Sequence, residues 1–161
     1  MEPGFDLMAN ELGAKLTRRF ANVNALVQQS SLPRLTQELV ELRVSQINGC
    51  GWCTDVHTKE LAHAGEDPLR VNLVAAWRDS TVFSPAERAV LAFAEEGTRM
   101  ADASQGVSDA TWAQVREHYD DDQIAALVYL IALINGSNRV AKIVRMRGGS
   151  YEPGMFADMT G

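Results

Sequence analysis

The sequence predicts an all-α fold. Apolar residues recur at helical spacing through most of the chain, and no run alternates as a strand would. Helix start and stop signals punctuate it at short intervals, and the connections between them have the lengths of helix packing. At 161 residues the chain is expected to be one domain, with a core over about 33–145 and a flexible tail over about 148–161.

Residues 11–29 carry Leu12, Leu16, Phe20, Val23 and Val27 on one weakly amphipathic face. Pro33 opens a helix to about Ile47, and Asn48-Gly49 stops it, glycine suiting the left-handed position past a helix end. The next helix runs from about Cys50 to Ala64 and closes at Gly65. Asp67-Pro68, a cap followed by a first-turn proline, opens one to about Arg78. Ser84-Pro85-Ala86-Glu87 joins a capping box to proline at the first helical position and starts a helix to about Met100. Ser108 caps a shorter helix to about Tyr119. Asp120 with Gln123 starts the last, expected to run to about Arg145 and to end at Gly148-Gly149. Its run "IAALVYLIALI", residues 124–134, is too short to span a bilayer and reads as a buried core helix.

Composition narrows the function classes. Net charge is −6 and the basic residues are scattered, so a nucleic-acid backbone is not an expected partner. The first residues hold acids and no apolar h-region, so neither a secretory signal nor a membrane partner is expected. Cytoplasmic placement is the expectation, and its reducing thiol pool disfavours a permanent structural disulfide.

The chemistry concentrates in "NGCGWCTDVH", residues 48–57, which holds both cysteines of the chain. At 100° per residue, Cys53 lies at ~300° and His57 at ~340° from Cys50, so the three share one face. Trp52 and Asp55 fall at ~200° and ~140°, away from it. His57 follows Cys53 by four residues, close enough to take the thiol proton. Cys50 sits at or next to the N-cap, where unpaired N–H groups and the helix dipole favour an anion. An ordinary cysteine is only about 3% thiolate at neutral pH, and a pKa lower by about two units, worth roughly 2.7 kcal/mol, makes the thiolate the major form. Three readings are open. Zinc requires four ligands, and the fourth candidate, His63, points away at ~220°. Two buried thiols serving only to pack are the bland reading. Reversible dithiol/disulfide chemistry is the third.

The stretch "ELVELRVSQINGCGWCTDVHTKEL", residues 38–61, resembles the CxxC-containing alkylhydroperoxidase D-like branch of the carboxymuconolactone decarboxylase superfamily. The shared pattern is a glutamate twelve residues before the CxxC, an Asn-Gly turn, and a histidine four residues after the second cysteine. Weaker similarity continues through "SPAERAVLAFAE" and "NRVAKIVR". The resemblance implies an all-α fold around a helical hairpin, assembled as a homotrimer or homohexamer. It implies reduction of hydroperoxides with an external dithiol and no cofactor or metal. Carried over, Cys53 attacks the peroxide, Cys50 resolves, His57 is the base beside Cys53, and Glu38 is the far acid of a proton relay. Helix-dipole reasoning instead favours Cys50 as the better thiolate. Trp52 stands where the best-known peroxidases of the group have a histidine, and the lactone decarboxylases of the superfamily lack the paired cysteines. The alternative to an enzyme is a redox-sensing or scaffold oligomer whose Cys50–Cys53 state alters assembly.

From residue pattern alone, Glu38 belongs to a polar arc with Arg34, Glu41 and Ser45 and reads as solvated. Arg43 reads as a buried or interface cation, Asn135 and Asn138 as caps of a packed junction, and His63 and His118 as surface residues.

Overall fold

A computed structural model describes residues 4–103 and 105–155. The chain forms α1 (Glu11–Gln28), α2 (Arg34–Ile47), α3 (Gly51–His63), α4 (Pro68–Leu73), α5 (Pro85–Thr98), α6 (Asp109–His118) and α7 (Asp121–Ile143), with 3-10 turns over Val74–Asp79 and Met100–Asp102. No strand occurs among the described residues. The expected caps are in place. Ser84 with Glu87 and Asp120 with Gln123 form complete capping boxes, and Asp67 accepts from Leu69 N–H. The helix expected from 68 to 78 instead breaks after Leu73 into α4 and a 3-10 segment, within which Ala76 leaves helical geometry.

α2 is the central helix. It packs on α3, α5 and α7, so both sides of it are core. Val40 and Val44 join Val90, Phe93, Leu127, Leu130 and Ile134 between α2, α5 and α7. Leu39 and Leu42 join Leu61, Val74, Trp77 and Leu91 on the other side. This packing corrects the polar arc read from the sequence: Glu38, Glu41 and Ser45 are buried, not solvated. α7 is long and apolar enough to cross a bilayer, but its Leu127, Leu130, Ile131 and Ile134 lie in the core.

Two helix ends set the paths of the segments after them. Past α2, Gly49 takes the left-handed conformation (φ 61°). The N–H of Gly49 then reaches Gln46 O, and that of Cys50 reaches Ser45 O, a Schellman closure. Past α7 the same closure forms around Arg145 (φ 61°), with Met146 N–H on Ala141 O. The helix therefore ends at Ile143, close to the expected end near Arg145, and the stop is made by Arg145 instead of Gly148-Gly149. That stop frees residues 148–151 to fold back over α3. That segment, expected as flexible tail, is docked, and Tyr151 is 3% exposed. Residues 156–161 of the expected tail lie outside the described residues.

On α1 only Val27 of the predicted face is buried. Leu12, Leu16, Phe20 and Val23 remain exposed, with Leu26 beside them.

Candidate active site

Cys50 is the N-cap of α3. Its backbone is extended (φ −86°, ψ 96°), and its Sγ accepts from the Cys53 N–H at 3.3 Å. The turn that ends α2 thus places Cys50 just outside the helix and Cys53 inside its first turn. With Cα atoms 5.4 Å apart the two are disulfide-bonded, within the usual span of such bonds. Both are buried, Cys50 at 1% and Cys53 at 4% exposure. They pack with Ala141 of α7, and Trp52 lies against them.

One turn on, His57 is buried on the same face of α3 as Cys53. Its Nδ1 is held to Glu38 Oε2 by a hydrogen bond of 2.8 Å. The other oxygen of Glu38 pairs with Arg34, the i, i+4 neighbour on α2. Glu41, one turn further along α2, brings Oε2 to 3.7 Å from the same Nδ1. Burial pushes the Glu41 carboxyl up to about 7, with His57 pulling against it and Glu38 adding to it. Burial works against a charged His57, but Glu41 and Glu38 outweigh it and raise its pKa.

The expected site residues thus form two pairs, Cys50–Cys53 and Glu38–His57, on facing positions of the α2–α3 hairpin. The sequence pattern puts Glu41 on the arc of Glu38 without giving it a role, although its i, i+3 spacing from Glu38 is the available signal. Glu38, Glu41 and His57 each offer a donor atom, all within 4.8 Å of one another. Ligands on one tetrahedral metal with bonds of ~2.0 Å stand roughly 3.3 Å apart. The 2.8 Å approach of His57 to Glu38 suits a hydrogen bond better than a shared ion, and Glu38 already has Arg34.

The docked C-terminal strap is not foreseen from the sequence. Gly149 and Tyr151 donate their N–H groups to Asp55 Oδ2 at 2.7 and 3.1 Å. Lys59 Nζ holds the Tyr151 carbonyl at 2.7 Å, and the Tyr151 hydroxyl meets Glu60. The Tyr151 ring stands edge-on to Trp52, centroids 6.1 Å apart. A lone tyrosine shortly after two glycines is the only trace of this in the sequence.

The other side chains fall largely as expected. Arg43 is half-buried against Glu95 with Nε at 2.8 Å. Asn48 donates to both Asn135 and Asn138 at 2.9 and 2.8 Å, which ties α7 to the turn before Cys50. His63 and His118 are exposed.

Residues 14–96 match the carboxymuconolactone decarboxylase family. The chain belongs to that family. The uncharacterized protein YdfG of Bacillus subtilis strain 168 is 40% identical over 123 residues, 76% of this chain and 82% of that protein. A crystal structure of a protein of unknown function from Agrobacterium tumefaciens, for which an AhpD-type role in antioxidant defence has been suggested, has a TM-score of 0.83. It is 31% identical, and the match covers 93% of this chain and all of that one. An uncharacterized peroxidase-related protein from Ralstonia eutropha JMP134, described as an alkylhydroperoxidase AhpD core, shares the fold at 22% identity and TM-score 0.72, the match covering 92% of each chain. The chain therefore falls in the AhpD-like, CxxC-containing part of the family.

Proposed function

We propose that this protein is a dithiol peroxidase, reducing hydroperoxides through Cys53 and Cys50 with His57 and Glu38 as proton relay. The observation that carries the reading is the disulfide at the N-cap of α3, one turn from a buried imidazole held by a buried carboxyl. With Nδ1 engaged by Glu38, Nε2 is the nitrogen left for Cys53. In the reduced protein, His57 takes the Cys53 thiol proton. The thiolate attacks the peroxide, the O–O bond breaks, and the leaving alkoxide takes that proton from His57. Cys53 becomes a sulfenic acid. Cys50 attacks its sulfur, water leaves, and the disulfide forms. An external dithiol restores the pair by exchange. No cofactor enters, and a reducing compartment such as the cytoplasm supplies the dithiol. A homotrimer or homohexamer is the proposed assembly.

A second reading is favoured by the burial of both sulfurs: a redox sensor that oxidises once and changes its assembly. Reduced protein mixed with an organic hydroperoxide and a panel of dithiols separates the two. Many turnovers per chain are expected. Consumption that stops at one equivalent with every dithiol would leave the sensor.

A further inference from the structure

The proposed relay leaves one buried acid unused. Glu41 is 3% exposed. Its Oε2 is buried and has no hydrogen-bond partner among the described residues. Glu38 touches both a guanidinium and an imidazole, whereas among the described residues the Oε2 of Glu41 has His57 as its ion-pair neighbour, across 3.7 Å. A buried carboxyl in that position is kept either by a proton of its own or by a positive charge on its neighbour. The imidazole is the one neighbour that can gain or lose such a charge.

We propose that Glu41 is the second carboxyl of the relay, a positioning residue that shares one proton with His57 and so sets the charge the imidazole presents to Cys53. Four groups bear on Glu41: His57 and Glu60 from α3, and Glu38 and Arg34 from its own helix. Burial and the two glutamates favour its neutral form, while His57 and Arg34 favour the anion. Seen from His57, burial disfavours the cation, the charge of Glu41 is the largest single influence favouring it, and Glu38 adds to it through both its hydrogen bond and its charge. Each group's state therefore depends on the other's, and the pair titrates as a unit.

The catalytic consequence rests on the peroxidase reading. In the disulfide form one proton is divided between Glu41 and His57, so the imidazole carries part of a positive charge. After reduction, His57 takes the Cys53 thiol proton on Nε2, and the shared proton settles on Glu41. The buried site gains a thiolate and an imidazolium together, so its net charge does not change. When His57 protonates the departing alkoxide, the pair is left again with its one shared proton. Dithiol and hydroperoxide then yield disulfide, alcohol and water, with no proton left over.

The test is a titration of the three histidines by nitrogen-15 NMR in the disulfide form. It compares the wild type with Glu41→Gln and Glu41→Asp. The His57 midpoint should fall by about one pH unit or more in Glu41→Gln. Glu41→Asp should recover part of that shift. The exposed His63 and His118 should not move in either variant, which also reports an intact fold. A His57 midpoint equal to or above the wild type's in Glu41→Gln would overturn the proposal. So would a His57 held in one protonation state from pH 5 to 9 in both proteins. The titration needs no turnover, so it is decided independently of whether peroxide is reduced.

Discussion

Cys50 has two structural duties besides its chemistry. Its N–H closes α2 on Ser45 O, and its Sγ caps α3 by accepting from Cys53 N–H. Serine is a strong N-cap and alanine is not. Under reducing conditions, Cys50→Ser should therefore match the wild type in thermal unfolding, while Cys50→Ala should lose about 1 kcal/mol. In the proposed mechanism Cys50→Ser also traps a sulfenic acid at Cys53, which dimedone labelling detects; a label on Cys50 in Cys53→Ser would reverse the two roles. His57→Ala should slow alkylation of the reduced protein at pH 6–7 and have little effect above pH 9, where the thiol ionises unaided. The same cluster sets a pH dependence of stability. Glu41 and His57 both have raised folded values, so the folded state holds more protons than the unfolded one around neutrality. The Glu41 contribution is full below about pH 4.5 and is lost as pH rises through about 7. That of His57 is full below the ordinary histidine range and is lost as pH rises above it. At Glu87, Glu95 and Glu96 burial opposes ionisation, but Arg70, Trp77 with Arg43, and Ser108 outweigh it and lower the values. Their contribution is present above the usual carboxyl range and is lost as pH falls. Urea unfolding should show a maximum near pH 5 and a decline toward pH 8 of order 1–3 kcal/mol. Glu41→Gln should flatten that decline.

The helices themselves are legible in the sequence because their signals are local. Ser84 and Asp120 cap through residues three positions away, and Asn48-Gly49 stops α2 through hydrogen bonds spanning five residues or fewer. The Cys50–Cys53 and Cys53–His57 spacings are local in the same way. The illegible features depend on packing between elements. Glu38 and Glu41 look solvated on an isolated helix and are buried only because α3 and α5 cover α2. Arg145 accepts a left-handed backbone where glycine is the expected residue, so α7 stops there and the strap turns back. The strap passes close enough to α3 that a Cβ on Gly148 would lie 2.4 Å from Gly51 O, and it supports Trp52, which packs on the sulfurs. Burial works against the Asp55 charge, but the N–H groups of Gly149 and Tyr151 and the Lys59 ammonium prevail and lower its pKa. Gly148→Ala should lift the strap by collision, and Tyr151→Ala should release Trp52. Both should speed reduction of the disulfide by dithiothreitol several-fold, followed by tryptophan fluorescence. Unchanged rates in both variants would place the access route elsewhere.

A single chain leaves a long apolar surface uncovered. Leu12, Leu16, Val23 and Leu26 of α1 are 44–70% exposed, with Phe20 at 38%. At 100° per residue these five fall within about 120° of arc, so they form one stripe along the helix. α1 packs against α7, and α7 adds exposed Tyr129, Val140 and Ile143. Single exposed apolar residues are ordinary, but a continuous stripe five residues long is the pattern of a protein–protein contact. Apart from Val27 at its C-terminal end and Phe20, whose ring lies against Gly136 of α7, the stripe takes no part in the packing of the described residues, so most of the apolar face of α1 is left for something else to cover. A second copy, in a closed ring or a ring of dimers, meets that requirement at every subunit. For the proposed assembly, light scattering at micromolar concentration should give the mass of a trimer or hexamer. Leu16→Glu with Val23→Glu should lower that mass toward the monomer while leaving helical circular dichroism unchanged, because neither side chain is part of the folded core. A wild-type monomer at that concentration would refute the assembly, and loss of helicity in the double variant would show that α1 is held by its own chain.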